Sequence, residues 1–248
     1  MEGTNWIKLM STSEFAERKK TCDTVIIPVG ATEGYGPHLP MGSDILVAQK
    51  IAELVAERVN AMIGPSLEVG ESYSLSRFPG TMCMSAQTWT MAFHDIMESL
   101  VKWGFKYFMV INGHAGNVPL IGHVARAMQD QYNIKCAQID WWRFTQAKGV
   151  GILDNTGWMA HGHASECGTS VMLHLFPEYV EKSKIDKAGP ARKEYLRDND
   201  IVTYVPFIQT APGALLGDAT VGTAEKGKQI VDKCVDRIVE YMKDEFVC

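Results

Sequence analysis

Residues 25–44 read VIIPVGATEGYGPHLPMGSD, and this stretch guides the interpretation of the whole chain. Its first five residues are mostly branched and apolar, which favours a buried β-strand. A loop rich in glycine and proline follows, and a helix is predicted to begin near Asp44. The loop carries Glu33, His38 and Asp44. Loops that follow buried strands commonly carry the chemistry of α/β proteins, so these side chains are candidates for a functional site.

Strands and helices alternate along the rest of the chain. We predict strands at 23–29, 61–65, 105–111 and 134–139, and helices at 13–20, 45–59, 86–103, 118–132, 166–176 and 223–246. Such alternation predicts an α/β fold with a mostly parallel sheet and helices on both faces. Residues 180–220 are predicted to form long loops. Because neither a linker nor a repeat divides the chain, we expect a single domain over 1–248.

The composition of the chain excludes several classes of partner. Hydrophobic residues make up 46% of its 248 residues, enough for a full core without disulfides. The net charge of −5 comes from interspersed charges of both signs, so we expect neither nucleic acid nor an anionic membrane as a partner. No apolar run approaches the ~18 residues of a membrane span, and no signal peptide is predicted. The six cysteines are scattered, which predicts reduced thiols and a cytoplasmic location.

Polar side chains follow several of the predicted strands. Glu33 and Asp44 follow the first strand, His114 follows the third, and Glu166 comes after the fourth. Because the carboxyl ends of parallel strands meet at one edge of a sheet, these groups can converge. Carboxylates with imidazoles suit zinc, manganese or iron. Taken singly, Asp44 could instead cap a helix, Glu166 could be a charge favoured by a helix dipole, and His114 could serve a turn.

Several motifs, in order along nearly the whole chain, resemble those of the creatininase (creatinine amidohydrolase) superfamily. They are the loop from Pro28 to Asp44, then Phe78-Pro79-Gly80-Thr81, Asn112-Gly113-His114-Ala115-Gly116-Asn117, His163-Ala164-Ser165-Glu166 with Thr169-Ser170, and Gly217-Asp218 with Thr223-Ala224-Glu225-Lys226-Gly227. The resemblance implies a three-layer α/β/α sandwich, a divalent metal site at the sheet edge and a homo-oligomer, commonly a hexamer. It also implies hydrolysis of a small cyclic amide or a chemically related bond.

The chain departs from these motifs at positions that bear on the metal. The superfamily usually has Glu-Gln-His-Gly where this chain has Glu33-Gly34-Tyr35-Gly36, and a glutamate where this chain has Gly168. We therefore predict one ion per chain, with zinc as the first choice and manganese or iron as alternatives. Its predicted ligands are Glu33, Asp44, His114 and Glu166. His38, or His163 in another rotamer, could still hold a second ion.

The remaining site residues follow from the same comparison. His163 is predicted to shuttle protons and Tyr35 to donate a hydrogen bond, while Ser72, His38 and Trp141 are predicted to bind substrate. The superfamily often has Glu-His where this chain has Ser74-Leu75, so the pocket is not expected to fit creatinine.

Several alternatives remain open for the function. A branch that resembles this chain, the 3-dehydro-scyllo-inosose hydrolases, opens a carbon–carbon bond of a cyclic polyol diketone. Such a substrate would suit Tyr35, Trp141, Trp142 and the serines at 72, 74 and 76. In a different enzyme class, Cys167 would be a nucleophile with His163 as its base on one helical face. A non-catalytic protein that binds small ligands on the same fold is a further possibility.

Overall fold

A parallel sheet forms the centre of the computed structural model, which describes residues 4–191 and 204–246. Its strands are β1 (Thr24–Val29), β2 (Met62–Ile63), β3 (Tyr107–Asn112) and β4 (Lys135–Asp140), in the spatial order β2-β1-β3-β4. Residue Val29 of β1 is paired with Asn112 of β3, and Asn112 with Asp140 of β4. The three longer strands therefore end at the same level, and the loops that follow them share one edge.

The faces of β1 separate two hydrophobic cores. Val25, Ile27 and Val29 pack on one side with α3 (Ala86–Lys102) and α4 (Val118–Tyr132). Ile26 packs on the other side with α2 (Ser43–Ala56), α7 (Glu166–Leu175) and α9 (Ala224–Glu245). Successive side chains of a strand point to opposite faces, so a continuous apolar strand needs cover on both. The predicted three-layer α/β/α sandwich with a parallel sheet is confirmed.

The start of α2 decides one of the alternatives left open by the sequence. Gly42 is the N-cap residue and makes no side-chain capping bond, while Asp44 lies within the first turn. The Asp44 side chain is buried, with 2% of the residue exposed. Asp44 is therefore not the cap of this helix, and its carboxylate is free to face the sheet edge.

Some elements differ from the sequence predictions. The short helices α5 (Trp141–Lys148) and α6 (Gly157–His161) follow β4 where no helix was predicted, and α1 spans Thr12–Lys19. Within 180–220, predicted as loops, β5 (Lys187–Ala188) pairs antiparallel with β6 (Gly217–Asp218), and α8 spans Phe207–Thr210. Residues 192–203 of that prediction lie outside the described residues. Over 4–191 and 204–246, no helix combines the length and apolar character needed to cross a bilayer.

Candidate metal centre

Three of the predicted ligands meet at the carboxyl edge of the sheet. Glu33 lies in the loop after β1, Asp44 in the first turn of α2 and His114 in the loop after β3. One ligand atom from each lies within 4.8 Å of the other two. These residues are only 1%, 2% and 4% exposed. Atoms bound to one ion at ~2.0–2.2 Å are separated by such distances.

The hydrogen bonds of His114 fix which of its ring nitrogens carries the proton. Nε2 lies 2.9 Å from the backbone carbonyl oxygen of Glu71, which can only accept a hydrogen bond. Nε2 therefore carries hydrogen, and in a neutral ring Nδ1 has a lone pair. Nδ1 lies 3.2 Å from Glu33 Oε2 and 3.2 Å from Asp44 Oδ2. Three acceptors face one another, so the cluster needs a cation, either a proton on Nδ1 or a metal ion.

The electrostatics of the cluster favour a divalent cation. Burial, together with the charge of Glu33, raises the pKa of Asp44 to about 6. Burial also opposes the charge of Glu33, but His114 and His163 outweigh it and hold the pKa of Glu33 well below its usual range. The two carboxylates likewise raise the pKa of His114 far above its usual value against the effect of burial. A divalent ion beside a neutral imidazole would balance the charges of both carboxylates.

Glycines allow the loops around His114 to approach so closely. A Cβ at Gly113 would lie 2.2 Å from the carbonyl oxygen of Asp44, and one at Gly116 would lie 2.0 Å from that of Glu71. Ser72 Oγ donates to Glu33 Oε2 at 2.7 Å. These contacts hold the carboxylate and the imidazole in place before any ion binds.

The structure does not bring Glu166, the fourth predicted ligand, into this cluster. Its carboxylate accepts hydrogen bonds from the backbone N–H groups of Asp154, at 2.7 Å, and Asn155, at 3.0 Å. Lys226 Nζ lies 2.7 Å from Oε1, and Asn155 Nδ2 donates to Oε2. Because both oxygens are satisfied elsewhere and the residue is 0% exposed, the prediction of Glu166 as a ligand is corrected to a structural role.

The pair formed by Lys226 and Glu166 should matter for stability. We expect Lys226→Met to lower the free energy of unfolding by about 3 kcal/mol or more, because it leaves a buried carboxylate without its cation. The side chain of Lys226 is 13% exposed. On the same helix, Lys228 is 54% exposed and pairs with exposed Asp232. Lys228→Met is the matched control and should leave the free energy of unfolding in urea nearly unchanged, because exposed ion pairs contribute little. Equal losses in the two variants would contradict this account.

His163 and Tyr35 line a cavity of about 260 Å³ beside the cluster. His163 Nδ1 donates to the carbonyl oxygen of Ala214 at 2.8 Å, so Nε2 faces Glu33 Oε1 at 3.3 Å. The rings of Tyr35 and His163 are 4.3 Å apart. Burial, with the negative charges of Asp44 and Glu33, raises the pKa of Tyr35 well above its usual value. Tyr35 is therefore a protonated hydrogen-bond donor at the cavity wall.

The predicted substrate-binding residues lie in different places. Trp141 lines the cavity, and its indole nitrogen is buried with no partner among the described residues. Ser72 does not line it, because its hydroxyl is directed at Glu33. His38 is also absent from the wall; its Nε2 lies 2.8 Å from Thr169 Oγ1 inside the protein. Ser72 and His38 therefore contact Glu33 and Thr169 inside the protein and do not reach the cavity in which a substrate would bind.

The alternative with Cys167 as nucleophile loses its geometric basis. α7 begins at Glu166, so His163 and Cys167 do not share a helical face. His163 is held by Ala214 and Glu33 instead. Burial raises the pKa of Cys167 to about 12, which disfavours the thiolate that such a mechanism needs.

Sequence reasoning missed one aromatic contact at the cavity and assigned no role to one histidine that lines it. Phe207 packs edge-on against His163 with ring centroids 5.1 Å apart, and it comes from a segment predicted as loop. His161 also lines the cavity. Its position two residues before His163 was a visible signal, since both belong to the same glycine-flanked segment.

The fold and this cluster together define an α/β/α protein with a candidate metal centre at the carboxyl edge of its sheet. The family model described as creatininase, creatinine amidohydrolase, matches residues 8–242. The chain therefore belongs to the creatininase family.

The chain is similar to curated hydrolases with different substrates. A creatinine amidohydrolase from Pseudomonas putida is 30% identical over 253 residues, which cover 94% of this chain and 94% of that protein. A mycofactocin precursor peptide peptidase from Mycobacterium ulcerans is 26% identical, with 94% and 91% covered. A 3-dehydro-scyllo-inosose hydrolase from Thermotoga maritima is 29% identical, with 96% and 83% covered. These relatives support the assignment of the chain as a hydrolase.

Solved structures of creatininases share the fold over the whole chain. A crystal structure of creatinine amidohydrolase has a TM-score of 0.85 at 26% identity, covering 99% of this chain and 99% of that one. A structure described as the manganese form of creatininase has a TM-score of 0.83 at 26% identity, covering 98% and 99%.

Proposed function

We propose that this protein is a hydrolase of a small cyclic substrate, such as a cyclic amide, and that it depends on one divalent metal ion. Glu33, Asp44 and His114 would hold the ion. The observation that carries the proposal is that three buried acceptors converge, with the proton of neutral His114 committed to the Glu71 carbonyl on the far side. Zinc is the first choice for this donor set, with manganese or iron as alternatives. When bound, such an ion polarises a carbonyl group and acidifies water at neutral pH.

We propose that His163 moves the proton of the reaction. Its Nδ1–H is committed to the Ala214 carbonyl, which leaves Nε2 to accept a proton from the attacking water and return it to the leaving group. Burial opposes the charge of His163, but Glu33 outweighs this and raises its pKa. The imidazolium formed in the reaction would thus be stabilised by a carboxylate 3.3 Å away.

Replacing His163 tests this role directly. We expect His163→Gln to lower kcat by about 10²–10⁴-fold, the range typical of general acid–base catalysis, while the metal content stays unchanged. His174→Gln is the matched control, because His174 lies in the last turn of α7 and does not line the cavity. Loss of the ion from His163→Gln would instead assign His163 as a ligand.

Tyr35 is proposed to donate its O–H to the oxygen that becomes negative in the reaction. Its raised pKa keeps the phenol protonated, and its ring lies at the cavity wall beside His163. The indole N–H of Trp141 is a second donor without a partner among the described residues, and we assign it to substrate binding.

We also propose that the centre holds one ion rather than two. Tyr35 stands where the superfamily has a histidine, and Gly168 where it has a glutamate. A Cβ at Gly168 would lie 3.4 Å from Tyr35 Oη, so the two departures are neighbours in space. In the described part of the chain, Glu33, Asp44 and His114 make up the cluster able to hold a metal. The phenol thus replaces donors that a second ion would need.

Hydrolysis of a carbon–carbon bond in a cyclic polyol diketone is the second candidate. Ser74, Tyr35 and Trp142 on the cavity wall support it, because they can bond to hydroxyl groups or pack on a ring. Turnover assays with a cyclic polyol ketone, creatinine, simple lactams and a short peptide would separate these substrate classes. Metal-independent binding without turnover would instead favour a non-catalytic protein. The expected homo-oligomer, the cytoplasmic location and the single domain stay predictions.

A further inference from the structure

A second cavity of about 610 Å³ adjoins the reaction cavity. His161 and Gly162 line both, so the two cavities share one wall. The reaction cavity, of about 260 Å³, lies below the ~300–1,000 Å³ of typical ligand pockets and is large enough only for a small ring. A group attached to such a ring and directed past His161 would enter the second cavity.

The wall of the second cavity is held in place by buried charge. Asn155 lines it, and the backbone and side chain of Asn155 both donate to Glu166. Lys226 bonds to the same carboxylate at 2.7 Å. This largely buried ion pair therefore anchors the 154–155 loop against the start of α7. A loop fixed in this way forms a cavity wall before any ligand binds, which lowers the entropic cost of binding.

The lining of the second cavity combines apolar residues with polar but uncharged side chains. No Asp, Glu, Lys or Arg side chain among the described residues lines it. Its polar lining side chains include Thr145, Gln146, Asn155, Thr156, Trp158 and His161. Burial lowers the pKa of His161, so its ring is neutral near pH 7. An ionised group placed here would lose hydration without gaining a counter-charge, whereas amide or hydroxyl groups can be satisfied, and Trp158 offers a flat apolar face.

We propose that this second cavity is a subsite for an uncharged, hydrogen-bonding extension of the substrate, carrying amide or hydroxyl groups, with His161 at the junction. The inference rests on the proposed hydrolase function and narrows its substrate class. The natural substrate is then a small ring with a neutral polar arm rather than a bare ring.

Ligand-observed NMR titration of the full chain would test the subsite with defined probes. N-acetylglycinamide represents an amide arm and myo-inositol a hydroxylated arm, while N-acetylglycine differs from the first only in its carboxylate. We expect at least one neutral probe to bind, and N-acetylglycine to bind about tenfold or more weakly than N-acetylglycinamide if the amide arm is correct. Binding of myo-inositol alone would assign the hydroxylated source.

Two threonine variants locate the binding. Thr156 is exposed and makes no capping bond at the start of α6, so Thr156→Trp can fill the cavity without disturbing the helix. Thr12→Trp on exposed α1 is the matched control. We expect Thr156→Trp to weaken the neutral probe about tenfold or more and Thr12→Trp to leave it unchanged.

Equal binding to wild type and Thr156→Trp, no binding of either neutral probe, or a preference for the carboxylate would overturn the subsite. The metal content of Thr156→Trp and its turnover of a minimal ring report separately on the proposed function. If wild type also lacks bound metal and does not turn over the ring, that result would contradict the proposed hydrolase function. The probe-binding results would still decide the subsite.

Discussion

Glu33→Gln should release the metal ion and reduce turnover on the order of 10³-fold or more. The substitution keeps the size of the side chain but removes a charge that faces His114 and His163 at 3.2 and 3.3 Å. An amide binds a metal ion more weakly than a carboxylate does. Its N–H₂ group can only donate hydrogen bonds, so the amide cannot accept from both imidazoles as the carboxylate can. Loss of an ion that contributes several kcal/mol to the transition state corresponds to a rate loss of this size. Metal analysis after dialysis and steady-state kinetics measure the two effects.

Glu71→Gln is the matched control for Glu33→Gln. Glu71 holds His114 through its backbone carbonyl oxygen, which the substitution leaves in place. Its side chain is half-buried and does not line the reaction cavity. We expect the control to keep its ion and to retain turnover within a few-fold. Full metal content in Glu33→Gln, or equal losses in both variants, would contradict the assignment of Glu33 as a ligand.

The double variant Tyr35→His with Gly168→Glu should bind two ions per chain instead of one. The positions are adjacent, since a Cβ at 168 would lie 3.4 Å from Tyr35 Oη, and Tyr35 is close enough to Asp44 for that carboxylate to raise its pKa. The change therefore places an imidazole and a carboxylate next to a carboxylate that already belongs to the centre. Metal analysis by mass spectrometry gives the ratio of ions to chains.

The single variants are the controls for this change. Gly168→Glu alone brings a carboxylate against the Tyr35 ring, and Tyr35→His alone lacks the carboxylate, so each should still bind one ion. Two ions in wild type, or a ratio of one in the folded double variant, would contradict the proposal that Tyr35 and Gly168 account for a single ion.

Local patterns predicted the central elements of the fold well. Residues 25–29 are branched or apolar, and β1 has no exposed residue because both of its faces are covered. The strand predicted at 105–111 lies at 107–112, and Phe105 is buried in the core just before it. α5 was missed because its aromatic first residues, Trp141 and Trp142, are typical of a strand. The ribbon of β5 and β6 pairs Ala188 with Gly217, a contact too distant in sequence for periodicity to reveal.

Topology alone explains why three of the predicted ligands lie close together. Glu33, Asp44 and His114 follow strands that end at one level, so a parallel sheet brings them together. Glu166 was placed wrongly because its partner, Lys226, is 60 residues away and only the packing of α7 on α9 joins them. Ser72 and His38 were assigned to substrate because a sequence does not show which way a side chain points. Their hydrogen bonds direct them to Glu33 and Thr169.

The most direct test of the account is a metal-edge fluorescence scan with anomalous diffraction on crystals of the purified protein. We expect one divalent ion per chain, bound by Glu33, Asp44 and Nδ1 of His114, with Glu166 still paired to Lys226. Two ions at the sheet edge, an ion bound by Glu166, or crystals grown with zinc that leave the three side chains uncoordinated would contradict it.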